Sequence, residues 1–179
     1  MTTSRESKYR ALIAPLNDRL IATVWRVLRS EHDAEEALQN ALLQVWKRLD
    51  RVERHPNPTA LILRMGANAA YDRLRKRIRE DRLRNGRLDE STADRRPSPD
   101  LRAEESELSD ALRNAIATLP RKQAQAAIMR LVQEQSYTEI AEAIGCREAT
   151  ARVHVLNARK QLELLLHDFR TVVHQEVVS

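Results

Sequence analysis

Basic side chains crowd one short segment of this chain, and they are the first candidates for binding chemistry. Between Arg73 and Arg87 the sequence has eight Arg or Lys residues and two acids, a local charge of +6. The whole chain carries +5, so everything outside this segment sums to −1. Positive charge concentrated in this way is typical of a surface that binds a polyanion such as nucleic acid. A solvated helix face or a charged linker would give the same count, so charge alone leaves these alternatives open.

A second group of candidate side chains follows Gly145, which stands between two stretches with helical patterns. Ser136 and Glu139 have the spacing of a capping box, and Gly145 can adopt the left-handed conformation that ends a helix. The exposed side of the next helix is predicted to carry Arg147, Glu148, Arg152, His154, Arg159 and Lys160. Because Arg can bind guanine and Glu can accept from cytosine, the pattern predicts a helix-turn-helix that enters a major groove. A plain helical hairpin is the alternative.

Residues for bond chemistry do not form a recognisable pattern. The five histidines include no HExxH motif and no pair spaced like metal ligands, and Cys146 has no second cysteine. We therefore expect no enzyme, no metal and no cofactor. The single cysteine indicates a reducing compartment, and no apolar run approaches the ~18 residues that a membrane span needs. The expected location is the cytoplasm.

Apolar residues at three- and four-residue steps predict the helices that must position these groups. The first stripe is Ile13, Leu16, Leu20, Val24 and Val27, and Pro15 predicts a late start or a kink there. Asp33 with Glu36 is predicted to cap the second helix. A third helix would begin at Asn57–Pro58 and reach the low eighties.

Two faces of the third helix differ in character. One is predicted to be buried and carries Leu63, Ala67, Tyr71, Leu74 and Ile78. The other carries Arg64, Asn68, Asp72, Arg75 and Arg79. Basic residues at the end of such a helix also interact favourably with its dipole.

The polar stretch after the third helix divides the chain. Residues 85–106 contain Pro97 and Pro99 and lack periodicity, which predicts a flexible linker. Helical patterns resume around Leu112, and the last helix has the apolar stripe Ala151, Val155, Ala158, Leu162 and Leu165. The predicted fold is all-α, with helical domains at 1–84 and 107–179 joined by that linker, the C-terminal domain being a helix-turn-helix.

Three segments in this order resemble the extracytoplasmic-function (ECF) class of the sigma-70 family. They are "DAEEALQNALLQVW", "LILRMGANAAYDRLRKR" and "LPRKQAQAAIMRLVQEQSYTEIAEAIGCREATARVHVLNARKQL". The resemblance implies that Asp33, Glu35, Glu36, Gln39 and Asn40 bind RNA polymerase. It implies −10 contacts by Arg64, Asn68, Asp72, Arg73, Arg75, Lys76, Arg77 and Arg79. It implies −35 contacts by Arg147, Glu148, Thr150, Arg152, His154 and Arg159.

The chain departs from the family pattern at several positions. Asn40 stands where relatives usually have an acid, and Leu42 where they usually have an aromatic residue. Leu61 and Leu63 replace a common Trp and Tyr, which puts a strand-opening role for those positions in doubt. The loop "RVERHPNPT" remains a candidate pocket for a flipped base.

The partners implied by the resemblance are core RNA polymerase and promoter DNA, and many relatives are also held inactive by an anti-sigma factor. The alternative is a LuxR-like helix-turn-helix regulator that acts without polymerase. Such a regulator has no need of the polar surface at Asp33–Gln39. The C-terminal stretch after Leu165 is expected to be a short trailing helix, with an inhibitor-binding segment as the alternative.

Overall fold

The structure is a computed structural model that describes residues 2–85 and 101–177, with side chains described for 4–84 and 108–167. Every regular element in these ranges is helical, which confirms the predicted all-α class. The helices are α1 (Thr2–Ile13), α2 (Asn17–Leu28), α3 (Glu31–Lys47), α4 (Leu49–Glu53), α5 (Pro58–Asn85), α6 (Leu101–Thr118), α7 (Arg121–Leu131), α8 (Tyr137–Ile144) and α9 (Glu148–Val177). We refer to α1–α5 as the first module and to α6–α9 as the second module. None of the described helices is long and apolar enough to span a bilayer.

Local sequence signals set the helix boundaries of the first module. Pro15 lies in a 3-10 turn, Ala14–Leu16, that separates α1 from α2. The predicted apolar stripe through this region is buried, with Leu20 and Val24 each 1% exposed. At the start of α5, Asn57 Oδ1 accepts a hydrogen bond from the amide of Ala60 at 2.9 Å, so the predicted Asn–Pro start is confirmed.

The cap of α3 differs from the prediction. Ser30 is the N-cap residue, and its side chain accepts from the amide of Asp33 at 3.4 Å. The extended backbone of Ser30 lets its hydroxyl reach the first turn, whereas Asp33 already lies inside the helix. The Asp33 side chain points into the first module instead, where it is 4% exposed.

The second module contains the predicted helix-turn-helix. Ser136 and Glu139 form both hydrogen bonds of a capping box, and Gly145 ends α8 with a left-handed backbone (φ 75°). Helix α6 begins at Leu101, inside the predicted linker, and residues 86–100 lie outside the described residues. Leu165 was expected in the buried stripe of α9 but is 38% exposed, because it borders a cavity that lies between α9 and α6.

The two modules pack directly against each other, a contact that was not predicted from the sequence. One hydrophobic cluster joins Leu28 and Tyr71 of the first module to Met129 and Ile140 of the second. The hydroxyl of Tyr71, which is fully buried, donates to the carbonyl of Leu119 at 2.6 Å. Helix α5 therefore lies in the middle of the molecule, with α2 and α3 on one side and α6–α8 on another.

Candidate nucleic-acid and polymerase interfaces

Three of the residues predicted to bind polymerase form an exposed polar surface on α3. Glu35, Gln39 and Asn40 are exposed, and Gln39 Nε2 donates to Glu35 Oε1 at 3.1 Å. Glu35 and Gln39, four residues apart, lie on one face of the helix, and Asn40 follows Gln39 directly. We call this group the α3 surface. Nothing in the described part of the second module contacts these three side chains through a hydrogen bond or ion pair.

Asp33 and Glu36, predicted for the same role, form ion pairs with basic residues of α5. Asp33 is ion-paired to Arg73 at 2.5 Å and to Arg77 at 3.2 Å. Glu36 pairs with the same Arg73 at 2.8 Å and with Lys76 at 3.6 Å. Since the side chain of Asp33 is only 5% exposed, it is not available to a protein surface in this conformation.

The basic residues of α5 accordingly fall into two groups. Arg73 and Arg77, both predicted to make −10 contacts, are turned towards Asp33, and the Arg73 side chain is 12% exposed. Arg75 and Arg79 are exposed, and Arg75 lies over the ring of Tyr71 at 5.7 Å from its centroid. A charge count along the sequence could not separate these groups, because the partner carboxylate lies forty residues away.

The residues Arg64, Asn68 and Asp72 lie on one side of α5 at steps of four, as predicted, but this side meets the second module. Arg64 Nη1 donates to the carbonyl of Ala143 at 2.5 Å. Asp72 pairs with Arg121 at 2.8 Å. Asn68 is half-buried between them and borders the same cavity as Arg121. We call these three residues the α5 promoter face.

A cationic pocket adjoins the α5 promoter face. Arg48, Arg51, His55 and Arg64 line a cavity of about 150 Å³ at the loop that the sequence suggested for a flipped base. Burial lowers the pKa of Arg64, and the neighbouring charges of Arg51, Arg121 and Arg48 lower it further. The guanidinium stays protonated at any physiological pH. Arg48 and Arg51 were not among the predicted site residues, although two arginines three residues apart before a proline loop were a usable signal.

The start of α9 exposes most of its predicted base-contacting side chains. Arg147, Thr150, Arg152 and Arg159 are exposed, while His154 is half-buried. Glu148 is also half-buried, and it accepts hydrogen bonds from Arg152 at 2.6 Å and from Thr138 at 2.9 Å. These bonds, the one from Arg152 first, lower the pKa of Glu148.

An aromatic ring orders the arginines next to this helix. The guanidinium groups of Arg152 and Arg130 lie 4.4 and 4.8 Å from the ring centroid of Tyr137. Cation–π contacts of this length favour one side-chain orientation. Arg152 is therefore held at the exposed start of α9 by Glu148 and Tyr137 together.

Family models match both modules. The model for sigma-70 region 2 matches residues 12–80, and the model for sigma-70 region 4 matches residues 109–162. The chain belongs to the sigma-70 family. The two matched regions account for both modules of this sigma factor, and a chain with both regions directs promoter-specific transcription initiation. No match supports the LuxR-like alternative.

Two relatives place this sigma factor in the ECF class. It is 22% identical over 160 residues to the ECF RNA polymerase sigma factor SigW of Bacillus subtilis, with 84% of each chain covered. It also resembles the sigma factor RpoE in a co-crystal structure with the anti-sigma factor NepR from Bartonella quintana. That likeness has a TM-score of 0.52 and 26% identity, covering 89% of this chain and 96% of the other.

Proposed function

We propose that this sigma factor divides promoter recognition among three surfaces. The α3 surface binds core RNA polymerase, the first module binds the −10 strand, and the start of α9 reads the −35 element. The main support for this division is that the cationic pocket adjoins the α5 promoter face. One site can then bind both the phosphate backbone and a base of the same DNA strand.

The −10 site must act on separated strands, because duplex DNA hides the base edges that a pocket would bind. Arg48, Arg51 and Arg64 suit a phosphate or the acceptor edge of an extruded base. Leu61 and Leu63 are buried at 6% and 1% exposure, so they do not present a stacking surface. Aromatic stacking would contribute about 1–3 kcal/mol per base. We infer that strand opening relies on the polymerase more than on these two positions.

The −35 site uses direct readout in the major groove. Arg147, Thr150 and Arg152 stand at the exposed N-terminal end of α9, which is the end that contacts bases in a helix-turn-helix. Arg159 lies further along the helix, where a cation contacts phosphate rather than base. Glu148 holds the Arg152 side chain in place, so it affects base recognition by positioning Arg152.

The sigma factor itself does no bond chemistry; the polymerase supplies it. It acts in the cytoplasm, where the polymerase is. The likeness to a sigma factor crystallised with an anti-sigma factor supports an anti-sigma partner for this chain as well.

A binding experiment with core polymerase tests the proposal. The double variant Glu35→Ala/Gln39→Ala is expected to weaken binding to core polymerase at least tenfold, since both side chains belong to the α3 surface. The matched control is Glu163→Ala, an exposed acid of α9 outside all three surfaces, which is expected to bind like the wild type. Equal affinity of the double variant and the control would overturn the docking assignment.

Salt dependence tests the nucleic-acid part of the proposal. Several phosphate contacts release counterions, so the affinity of the holoenzyme for promoter DNA should fall steeply with salt. A plot of log affinity against log salt concentration measures this directly. A flat line between low and moderate salt would contradict the assignment of phosphate contacts to α5 and α9.

A further inference from the structure

The outward face of the first turns of α9 is apolar, although polar and charged residues flank it. Val153 is 50% exposed and Leu156 is 49% exposed. Ala149, one turn before Val153, is exposed as well. These three residues were not among those predicted to contact DNA. They follow one another at steps of four and three residues on one side of the helix, and we call them the apolar stripe of α9.

Helix geometry fixes the direction in which this stripe points. An α-helix turns about 100° per residue, so residues two apart point about 160° away from each other. Val153 stands two residues from both Ala151 and Val155, which are 0% and 1% exposed. Leu156 stands two residues from the fully buried Ala158. Val153 and Leu156 therefore point directly away from the core of the second module, towards the ligand of this helix.

The arginine beside the stripe is held by its own chain. Arg152 donates to Glu148 Oε1 from Nε at 3.2 Å and from Nη2 at 2.6 Å. Its guanidinium also lies 4.4 Å from the ring centroid of Tyr137. These contacts fix Arg152 along one side of the stripe, where it can contact a neighbouring base. The centre of the outward face is left to Val153 and Leu156.

In the major groove, the apolar group that a base presents is the 5-methyl of thymine. Cytosine lacks this methyl and presents its N4 amino donor, while adenine and guanine present polar edges. A helix seated in the groove removes water from the base edges that it covers. A polar edge facing Val153 or Leu156 would lose its water without gaining a hydrogen bond, whereas burial of a methyl is favourable. The stripe therefore selects thymine at the positions that it covers.

The rise of the helix indicates how many thymines the stripe contacts. Three residues separate Val153 from Leu156, which is about 4.5 Å along the helix axis. Neighbouring base pairs are about 3.4 Å apart along a duplex. For a helix that follows the groove, the two side chains therefore reach neighbouring base pairs.

A protein-binding face is the alternative use of an exposed apolar stripe. This stripe, however, is continuous with Arg147, Thr150 and Arg152 at the end of α9 that we assign to the −35 element. Further along the helix, Arg159 and Lys160 are also exposed. Their positive charge suits DNA phosphates on either side of the groove. Continuity and charge together favour DNA as the ligand of the stripe.

We propose that Val153 and Leu156 determine −35 specificity by contacting thymine methyl groups at two neighbouring base pairs. The proposal rests on the proposed function for the placement of α9 at the −35 element. It adds two specificity-determining residues and names the base that they select.

Replacement of thymine by uracil tests the proposal, because it removes the methyl and leaves the polar edge of the base in place. The holoenzyme first selects its −35 element from a randomised promoter library. Duplex promoters are then made with thymine or uracil at each selected thymine, and holoenzyme affinity is measured. We expect about a fourfold loss at each of two neighbouring base pairs, the factor that corresponds to one methyl-sized group left unburied. The same replacement in the spacer should have no effect.

Serine variants assign each methyl to its residue. Val153→Ser should abolish the effect of uracil at one base pair, and Leu156→Ser should abolish it at the other, because each removes the apolar partner of one methyl. The matched control is Leu164→Ser, which changes a side chain of the same helix that is 68% exposed and roughly 16 Å beyond Val153. It should keep both uracil effects. All three side chains are exposed, so the fold should tolerate these changes.

Several results would overturn the proposal. They are a selected element without thymines at neighbouring base pairs, equal affinity for thymine and uracil promoters, and uracil effects that persist in both Val153→Ser and Leu156→Ser. If uracil had no effect and Val153→Ser instead weakened binding to core polymerase, the stripe would bind protein rather than DNA. Failure of the proposed function would look different, because Arg152→Ala would then leave the −35 preference unchanged as well.

Discussion

At the scale of single residues, pairing decides which charges are available for binding. Asp33 and Glu35 are two positions apart on α3 and both were predicted to contact polymerase. Asp33 is buried between Arg73 and Arg77, whereas Glu35 is exposed. The first therefore positions α5, and the second remains free to contact a partner.

A pair of alanine variants separates these two roles. Asp33→Ala removes the closest partner of Arg73 but leaves its pair with Glu36, so the variant should lose about 1–3 kcal/mol of unfolding free energy, the cost of leaving buried donors unsatisfied. Glu35→Ala should stay within about 0.5 kcal/mol of the wild type, as exposed substitutions usually do, yet bind core polymerase less tightly. Urea denaturation and polymerase titration measure the two effects. A destabilised Glu35→Ala, or a stable Asp33→Ala, would reverse the assignment.

Recognition residues can be divided in the same way. Arg152 is held at the start of α9, so Arg152→Ala should change −35 sequence preference, with about 1–3 kcal/mol lost at one base pair. Arg79 is exposed on α5, so Arg79→Ala should weaken holoenzyme binding to all promoters alike. Binding to a randomised promoter library distinguishes these outcomes. An identical preference profile for both variants would refute the division between base and phosphate contacts.

At the scale of helices, the sequence predicted boundaries where a local signal determines them. Pro15, Asn57 before Pro58, and Gly145 act on the residues beside them, and the structure confirms all three. The cap of α3 was predicted wrongly because Ser30 and Asp33 both have capping side chains. Only the backbone conformation of Ser30 shows which one turns back on the helix.

The capping box of α8 gives a stability prediction with a pH dependence. Hydrogen bonds from the amide and hydroxyl of Ser136 lower the pKa of Glu139 in the folded state. The stabilisation of the folded state by this carboxylate is therefore complete above its usual pKa of 4.5. It is lost as the pH falls through the lower pKa of the folded state. Ser136→Ala should cost about 1 kcal/mol at pH 7 and less in acid.

Urea denaturation at several pH values measures this effect. Glu139→Gln should remove the part of the pH dependence that comes from this carboxylate. Glu163→Gln, which replaces an exposed carboxylate of the second module, should leave it in place. If Ser136→Ala and the wild type differed by the same amount at pH 7 and in strong acid, the ionised Glu139 would not be the group that stabilises the cap.

At the scale of the whole molecule, the sequence predicted the two helical modules but not their packing. Tyr71 and Leu74 were predicted on the buried face of their helix, and they are buried. Periodicity cannot tell whether a buried side chain faces its own module or another, so the shared cluster and the Tyr71–Leu119 hydrogen bond stayed hidden. The pairing of Arg73 with Asp33 was hidden for the same reason, since the two lie far apart in sequence.

We expect this sigma factor to recognise promoters only while it is bound to core polymerase. In vitro transcription with core polymerase on a genomic fragment library, with start sites mapped, tests this most directly. We predict that the start sites share a pair of upstream elements at fixed spacing, and that the chain alone binds the same fragments weakly. Tight sequence-specific binding by the chain alone, with no effect on where polymerase initiates, would contradict the account.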